Sequence, residues 1–299
     1  MAIRIGTNIV GSTFWEQGHA LKKMIEEKSD IGPAEVFATD VASPDGAREL
    51  EAGDLDIALH ASNWMVRALD GSPPFGVKVD IRMVAPVNVG APFFMVKAES
   101  PLKTFDDLRG RRVALGPEGR GQHNHVINIT NSLGMGMAGF EPVFAEFDEA
   151  SEACLSGDVD AIWQIPVPNK IVTDLTAKHP MRILDYGPGQ LEILLADHPL
   201  YRRTIIPAGA FPGQERDSAQ IGVLNVCFTH ARVSEDLIYQ FVSTLVRETE
   251  MLGTLHHVYG KLGALIGEIK TEGIGVFEPG GVAMHPGALR AYKDAGYLD

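Results

Sequence analysis

Ile3 and Ile5 flank a polar residue and lead into Gly6-Thr7, a pattern that predicts a short strand closed by a tight turn. Gly11-Ser12-Thr13 then opens a predicted helix to about residue 28, with Phe14, Gly18, Leu21 and Ile25 near helical spacing. Residues 36–38 read as a second strand. Ser43-Pro44-Asp45 supplies a cap, a first-turn proline and an acid, and so predicts a helix that ends near Gly53. Residues 56–60 form the next apolar run. Strand, helix, strand, helix, strand in this order implies a parallel sheet with helices on its faces.

The same logic recurs further on. Residues 81–87 and 92–97 are apolar strands, and 104–109 a short helical turn with Thr104 as its cap. A strand at 112–115 ends in Gly116-Pro117-Glu118-Gly119, and a helix over 121–133 carries Val126, Ile129 and Leu133 on one face. Strands at 141–144 and 159–163 flank a helix at 148–155. Residues 208–218 are rich in Pro and Gly and read as a connection, followed by a strand at 219–229. Residues 234–256 read as one long amphipathic helix, with Glu235 and Asp236 where the helix dipole favours them. Pro286 starts a final short helix, and no internal repeat or low-complexity tract interrupts the pattern.

With 299 residues, the chain is long enough for two lobes of roughly 100 to 150 residues without a metal or disulfide as a staple. The formal charge of -13 argues against nucleic acid and anionic membrane surfaces as partners, since both reward basic patches. A few oriented donors still suffice to hold a small anion inside an acidic protein. Cys154 and Cys227 sit among apolar neighbours and read as free core thiols. There is no apolar run of 18 residues, so no membrane insertion is expected. Met1-Ala2 leads directly into the first strand. The protein is expected to be periplasmic or otherwise extracytoplasmic if a signal peptide was removed, and cytoplasmic if not.

Three places carry candidate chemistry. The turn from Gly6 to Thr13 is either a plain connection or a cradle for a polar group, with Thr7, Asn8, Ser12 and Thr13 as donors and Phe14 or Trp15 as an apolar wall. It matches neither the phosphate-loop nor the dinucleotide pattern. The second turn, Gly116 to His125, gathers Arg120, Gln122, His123 and Asn124 at a predicted helix start. Arg120 there is either a solvated turn residue or a two-pronged partner for a carboxylate. His60, with Asn63 and Trp64, and Trp163 with Gln164 lie at strand ends, where open α/β sheets place ligands. His123 and His125 are two apart and do not share a helix face, so no metal site is expected, and no cofactor is called for.

These features together resemble the TAXI family, solute-binding receptors of TRAP transporters. The resemblance rests on Ile5-Gly6-Thr7 with Gly11 to Trp15, on Gly53 to Leu59, and on Leu108 to Gly116 with Glu118-Gly119. It also rests on Ile206 to Gln214 continuing to Val223 and Asn225, and on Met284 to Arg290. It implies a type II periplasmic-binding-protein fold of two α/β lobes, residues 1–88 with 213–299 and residues 89–212, closing on a ligand between them. By position it implies that Thr7, Ser12, Thr13, Trp15 and His60 line one wall, and Gly119, Arg120, Gly121, Gln122, Trp163 and Gln164 the other. Phe211, in the linking motif, is expected to reach the ligand. Arg120 stands where the family commonly has a small hydroxyl residue, and His60 where it has glutamine or a similar residue. Both favour an anionic solute such as a dicarboxylate or aromatic acid. The resemblance thus implies capture of a small organic anion for TRAP transporter membrane subunits, without catalysis. Two alternatives are an organic-acid decarboxylase or isomerase using His60 or His123 for proton transfer, and a cytoplasmic ligand sensor.

Overall fold

The computed structural model describes residues 2–39, 45–118, 122–164 and 169–299. Two compact units emerge: Met1–Asn88 with Leu224–Asp299, and Val89–Val223. The first begins with β1 (Ile3–Gly6), α1 (Thr13–Lys28), β2 (Ala34–Phe37), α2 (Asp45–Ala52), β3 (Ile57–Ala61) and α3 (Ser62–Asp70). Strand β1 lies between β2 and β3 and is parallel to both, as the alternating pattern requires. The next strand, β4 (Ile81–Gly90), leads out of this unit.

The second unit holds β5 (Phe93–Lys97), β6 (Arg112–Ala114), α4 (His123–Ser132), β7 (Glu141–Val143), α5 (Phe147–Ser156) and β8 (Ala161–Gln164). It continues with α6 (Lys170–Lys178), β9 (Met181–Ile183), α7 (Gln190–Asp197) and β10 (Tyr201–Ile206). Its sheet has the order β7-β6-β8-β5-β9. Strand β6 is parallel to β7 and β8, whereas β5 is antiparallel to β8 and β9.

The chain returns along β11 (Ser218–His230), which is buried almost throughout. The first half of β11 pairs antiparallel with β10, Tyr201 opposite Val223 and Ile206 opposite Ser218. Its second half pairs antiparallel with β3, Asn225 opposite Ala61 and Phe228 opposite Ala58, and β4 also pairs with β11. Four helices complete the first unit: α8 (Glu235–Arg247), α9 (Thr249–Leu255), α10 (Leu262–Glu272) and α11 (Pro286–Asp294). The long helix expected over 234–256 is therefore two, because Glu248 takes φ -104° and ψ 25° and the helix restarts after it.

The second switch between units falls inside β11, not at the Pro/Gly-rich stretch. Gly213 and Gln214 stay with the second unit because they are bound to β9. Gly213 has φ +96°, and a Cβ there would lie 2.4 Å from the Met181 carbonyl oxygen, so the close approach needs glycine. Gln214 Oε1 accepts from the Ile183 amide at 3.0 Å. Phe211 goes inward with them. It belongs to the buried cluster that holds Phe93, Met95, Cys154, Val172, Leu175 and Ile183.

The first unit's core is formed by Leu21, Met24 and Ile25 of α1 with Leu50, Ile57, Leu59, Phe241, Leu245 and Ile266, all buried. Cys154 and Cys227 are free and buried, and burial pushes the Cys154 thiol up to about 11. Among the described residues no helix is long and apolar enough to cross a membrane.

Candidate functional site

In the first unit the turn after β1 is largely tied to itself. Thr7 is fully buried, its hydroxyl donates to the Phe37 carbonyl at 2.9 Å, and its own carbonyl accepts from the Thr39 hydroxyl at 3.2 Å. These bonds join the ends of β1 and β2, so the Thr7 hydroxyl hydrogen is spent on the fold. Ser12 is the N-cap of α1, its Oγ accepting from the Trp15 amide at 3.3 Å. Thr13 and Trp15 are half-buried on the first turn, with the Trp15 ring edge-on to His19 at 4.5 Å.

His60 lies within β3 rather than beyond it, and it is fully buried. Its ring meets Phe14 at 5.7 Å and Phe228 at 5.9 Å. Gly46 of α2 closes the third side, where a Cβ would come within 2.8 Å of Nε2. Neither ring nitrogen has a hydrogen-bond partner. Burial alone pushes the imidazole down to about 3, so His60 is neutral and brings no positive charge.

A cluster of neutral amides forms on the other face of this sheet. Paired residues of neighbouring strands share a face and successive residues alternate, so Asn225, opposite Ala61, points away from His60. Gln17 Nε2 donates to Asn88 Oδ1 at 3.0 Å, and Asn225 Nδ2 donates to the same oxygen at 3.4 Å. The Tyr259 hydroxyl donates to the Gln17 backbone carbonyl at 3.2 Å. Close by, α3 starts at Ser62 with Ala61 as its N-cap, a residue with no side chain to cap the helix. Gln17 Oε1, Ser62 Oγ and Asn63 Oδ1 are all buried without a partner.

The second unit resembles this arrangement only in part. Gln122 Nε2 and His123 Nε2 both approach the Leu115 carbonyl, at 3.3 and 3.0 Å, so Nε2 of His123 carries the hydrogen and both side chains fold back on the end of β6. His125 is buried, with Nδ1 2.9 Å from the Tyr201 hydroxyl, which also accepts from Asn128 Nδ2 at 3.0 Å. Trp163 and Gln164, being adjacent on β8, face opposite sides of the sheet. Trp163 stacks at a tilt on Phe94, 4.7 Å between centroids, and its Nε1 has no partner. Gln164 is buried with Nε2 unpartnered, while its Oε1 accepts from Asn169 Nδ2 at 3.5 Å. The Tyr186 hydroxyl is likewise buried and unpartnered, and burial holds its phenol well above the ordinary tyrosine range. Gly119, Arg120 and Gly121 lie outside the described residues.

Among the described residues no group of three or more His, Cys, Asp or Glu side chains is placed to hold a metal ion. His256 and His257 stack on one another at 4.5 Å.

A single family model spans this architecture, from residue 5 to residue 296, and it is that of the NMT1-like family. The chain belongs to the NMT1-like family. This replaces the resemblance to the TAXI receptors of TRAP transporters. Solved structures add the fold of this NMT1-like chain. A sulfonate ABC transporter periplasmic sulfonate-binding protein from Methylobacillus flagellatus KT is 11% identical, with a TM-score of 0.56 over 100% of this chain and 97% of that one. A Xanthomonas citri protein bound to ATP is 12% identical, with a TM-score of 0.55 over 99% and 96% of the two chains. A TctC solute binding protein from Polaromonas gives 0.53 at 13% identity over 93% and 96%. The NMT1-like chain therefore has the two-lobed α/β fold of type II periplasmic binding proteins.

Gln17 and Asn88 stand in no motif of the sequence, Ser62 lacks a nucleophile-elbow context, and Asn225 stands only within a longer motif. The available signal was the burial problem itself. Asn88 and Asn225 interrupt runs of apolar strand residues, where an amide is costly unless it is paired.

Proposed function

We propose that this NMT1-like chain is the solute-binding receptor of a membrane transporter, and that its solute is a small organic anion. The supporting observation is the set of buried, unpartnered polar atoms around the strand ends of each unit: Gln17 Oε1, Ser62 Oγ and Asn63 Oδ1 in the first, Trp163 Nε1 and Gln164 Nε2 in the second. Each such atom costs about 1–3 kcal/mol when left dry, and a solute with matching polar groups recovers that cost. Two fold relatives, a periplasmic sulfonate-binding protein and a solute binding protein, support this reading, and the first also supports an extracytoplasmic location. Arg120 is the proposed charge partner, flanked by Gly119, Gly121 and Gln122, with Ser12, Thr13 and Trp15 as proposed lining residues of the first unit. His60 has no place as a charged contact, because its imidazole is neutral down to about pH 3. The same neutrality speaks against His60 as an acid–base catalyst near neutral pH.

A thermal-shift screen of small carboxylates and sulfonates tests the proposal. At least one is expected to raise the melting temperature saturably, by a stabilisation of about 2.7 kcal/mol at a hundredfold excess over Kd. Arg120→Ala is expected to weaken that response at least tenfold with the fold unchanged. Conversion of a screened solute into product by the purified chain would contradict the receptor reading, as would the absence of any stabilising solute.

A further inference from the structure

We infer that the first unit meets its solute through a neutral carboxamide edge, a carbonyl beside an N–H, read by Asn88 and Asn225; this rests on the receptor reading above. Both residues lie in strands whose neighbours are apolar: Val87 and Val89 beside Asn88, Leu224 and Val226 beside Asn225. Their hydrogen bonds are lopsided. Gln17 Nε2 and Asn225 Nδ2 both give their hydrogens to the same oxygen, Asn88 Oδ1. That leaves Asn88 Nδ2, a donor, and Asn225 Oδ1, an acceptor, as the polar atoms of the pair still to be matched. The two residues keep 9% and 8% of their surface exposed, while Gln17 keeps none. The surface the cluster keeps thus belongs to the two residues whose unmatched atoms are one donor and one acceptor. Turning the three amides over together exchanges the two roles but preserves the pair.

Charge decides which ligand group suits this edge. Among the described residues the side-chain hydrogen bonds of Gln17, Asn88 and Asn225 run only among themselves, and no cation takes part in them to balance a carboxylate. A carboxylate offers acceptors alone, so one of its oxygens would face a second acceptor across the edge. A carboxamide offers its carbonyl to the donor and its N–H to the acceptor, and satisfies both. Sites built to hydrogen-bond a particular group discriminate strongly against an analogue that leaves one of their own groups unpaired.

Calorimetric titration of the full chain with acid and amide pairs, succinate against succinamate and glutarate against glutaramate, tests this. The amide of a pair is expected to bind at least tenfold more tightly than the diacid. Asn225→Ala removes the free acceptor and leaves the Asn88 donor, so a carboxylate oxygen no longer faces an acceptor, and the ratio is expected to fall to one or below. If that variant fails to fold, Asn88→Asp, which sets a charged acceptor beside the remaining one, is expected to raise the ratio instead. Equal binding of acid and amide by the unsubstituted chain, a preference that survives Asn225→Ala, or one that shrinks in Asn88→Asp, overturns the inference. Failure of all four probes to bind also overturns it, while the receptor reading is judged separately on the solutes that raise the melting temperature.

Discussion

Replacing His60 with leucine is expected to make the protein markedly more resistant to acid. In the unfolded chain the imidazole titrates near its ordinary 6.5, whereas in the fold burial pushes it down to about 3. Between those values the unfolded state binds a proton that the native state refuses, so native stability falls as pH falls. The stability tied to His60 neutrality is therefore fully present above pH 6.5 and lost on the way down to pH 3. The gap corresponds to roughly 5 kcal/mol over the whole range, and to about 3 kcal/mol by pH 4. Leucine fills a similar volume against Phe14, Phe228 and Gly46 and carries no buried nitrogen. Urea unfolding of both proteins at pH 7, 5 and 4 checks this. The advantage of His60→Leu should widen steadily with acid. A constant difference across the three pH values would mean that the native imidazole is protonated or solvated.

Phe211→Ala is expected to cost about 3–5 kcal/mol of stability, the range for removing a buried aromatic ring. The ring is 7% exposed and packed against Phe93, Met95, Val172 and Ile183, and truncation leaves a cavity that the surrounding strands fill only in part. Denaturant unfolding at neutral pH should show the loss as a lower midpoint. Affinity for a stabilising solute should be unchanged under folding conditions, since the ring faces the core of the second unit. A large loss of affinity with little loss of stability would instead favour the ligand role that the sequence motif implied for Phe211.

The fold was more legible in the chain than the site. The β1-α1-β2-α2-β3 opening follows from alternation, glycine turns and caps that act locally, and the structure keeps each of these elements within a few residues. What escaped were elements whose signal is weak or tertiary. β9 has three residues, and β10 alternates buried and exposed positions through Arg202, Arg203 and Thr204, which read as polar. His60 illustrates the limit for the site. Its identity and place after an apolar run suggested a ligand contact, but the direction of its side chain depends on β11 and α2, which supply Phe228 and Gly46 from distant parts of the sequence. Gln122 shows the same in miniature: the sequence sets it in a candidate ligand turn, and its amide donates to the carbonyl that ends β6. The Gln17–Asn88–Asn225 cluster joins three separate segments, so no local pattern could have assembled it.

Native mass spectrometry of the chain purified from its source organism tests the central claim most directly. A receptor whose fold leaves buried polar atoms to be matched by a solute should retain that solute. A second species heavier by one small molecule is expected, lost on denaturation and recoverable as an organic anion. A spectrum containing only the bare chain, from protein that also fails to take up any small anion added to it, would contradict the account.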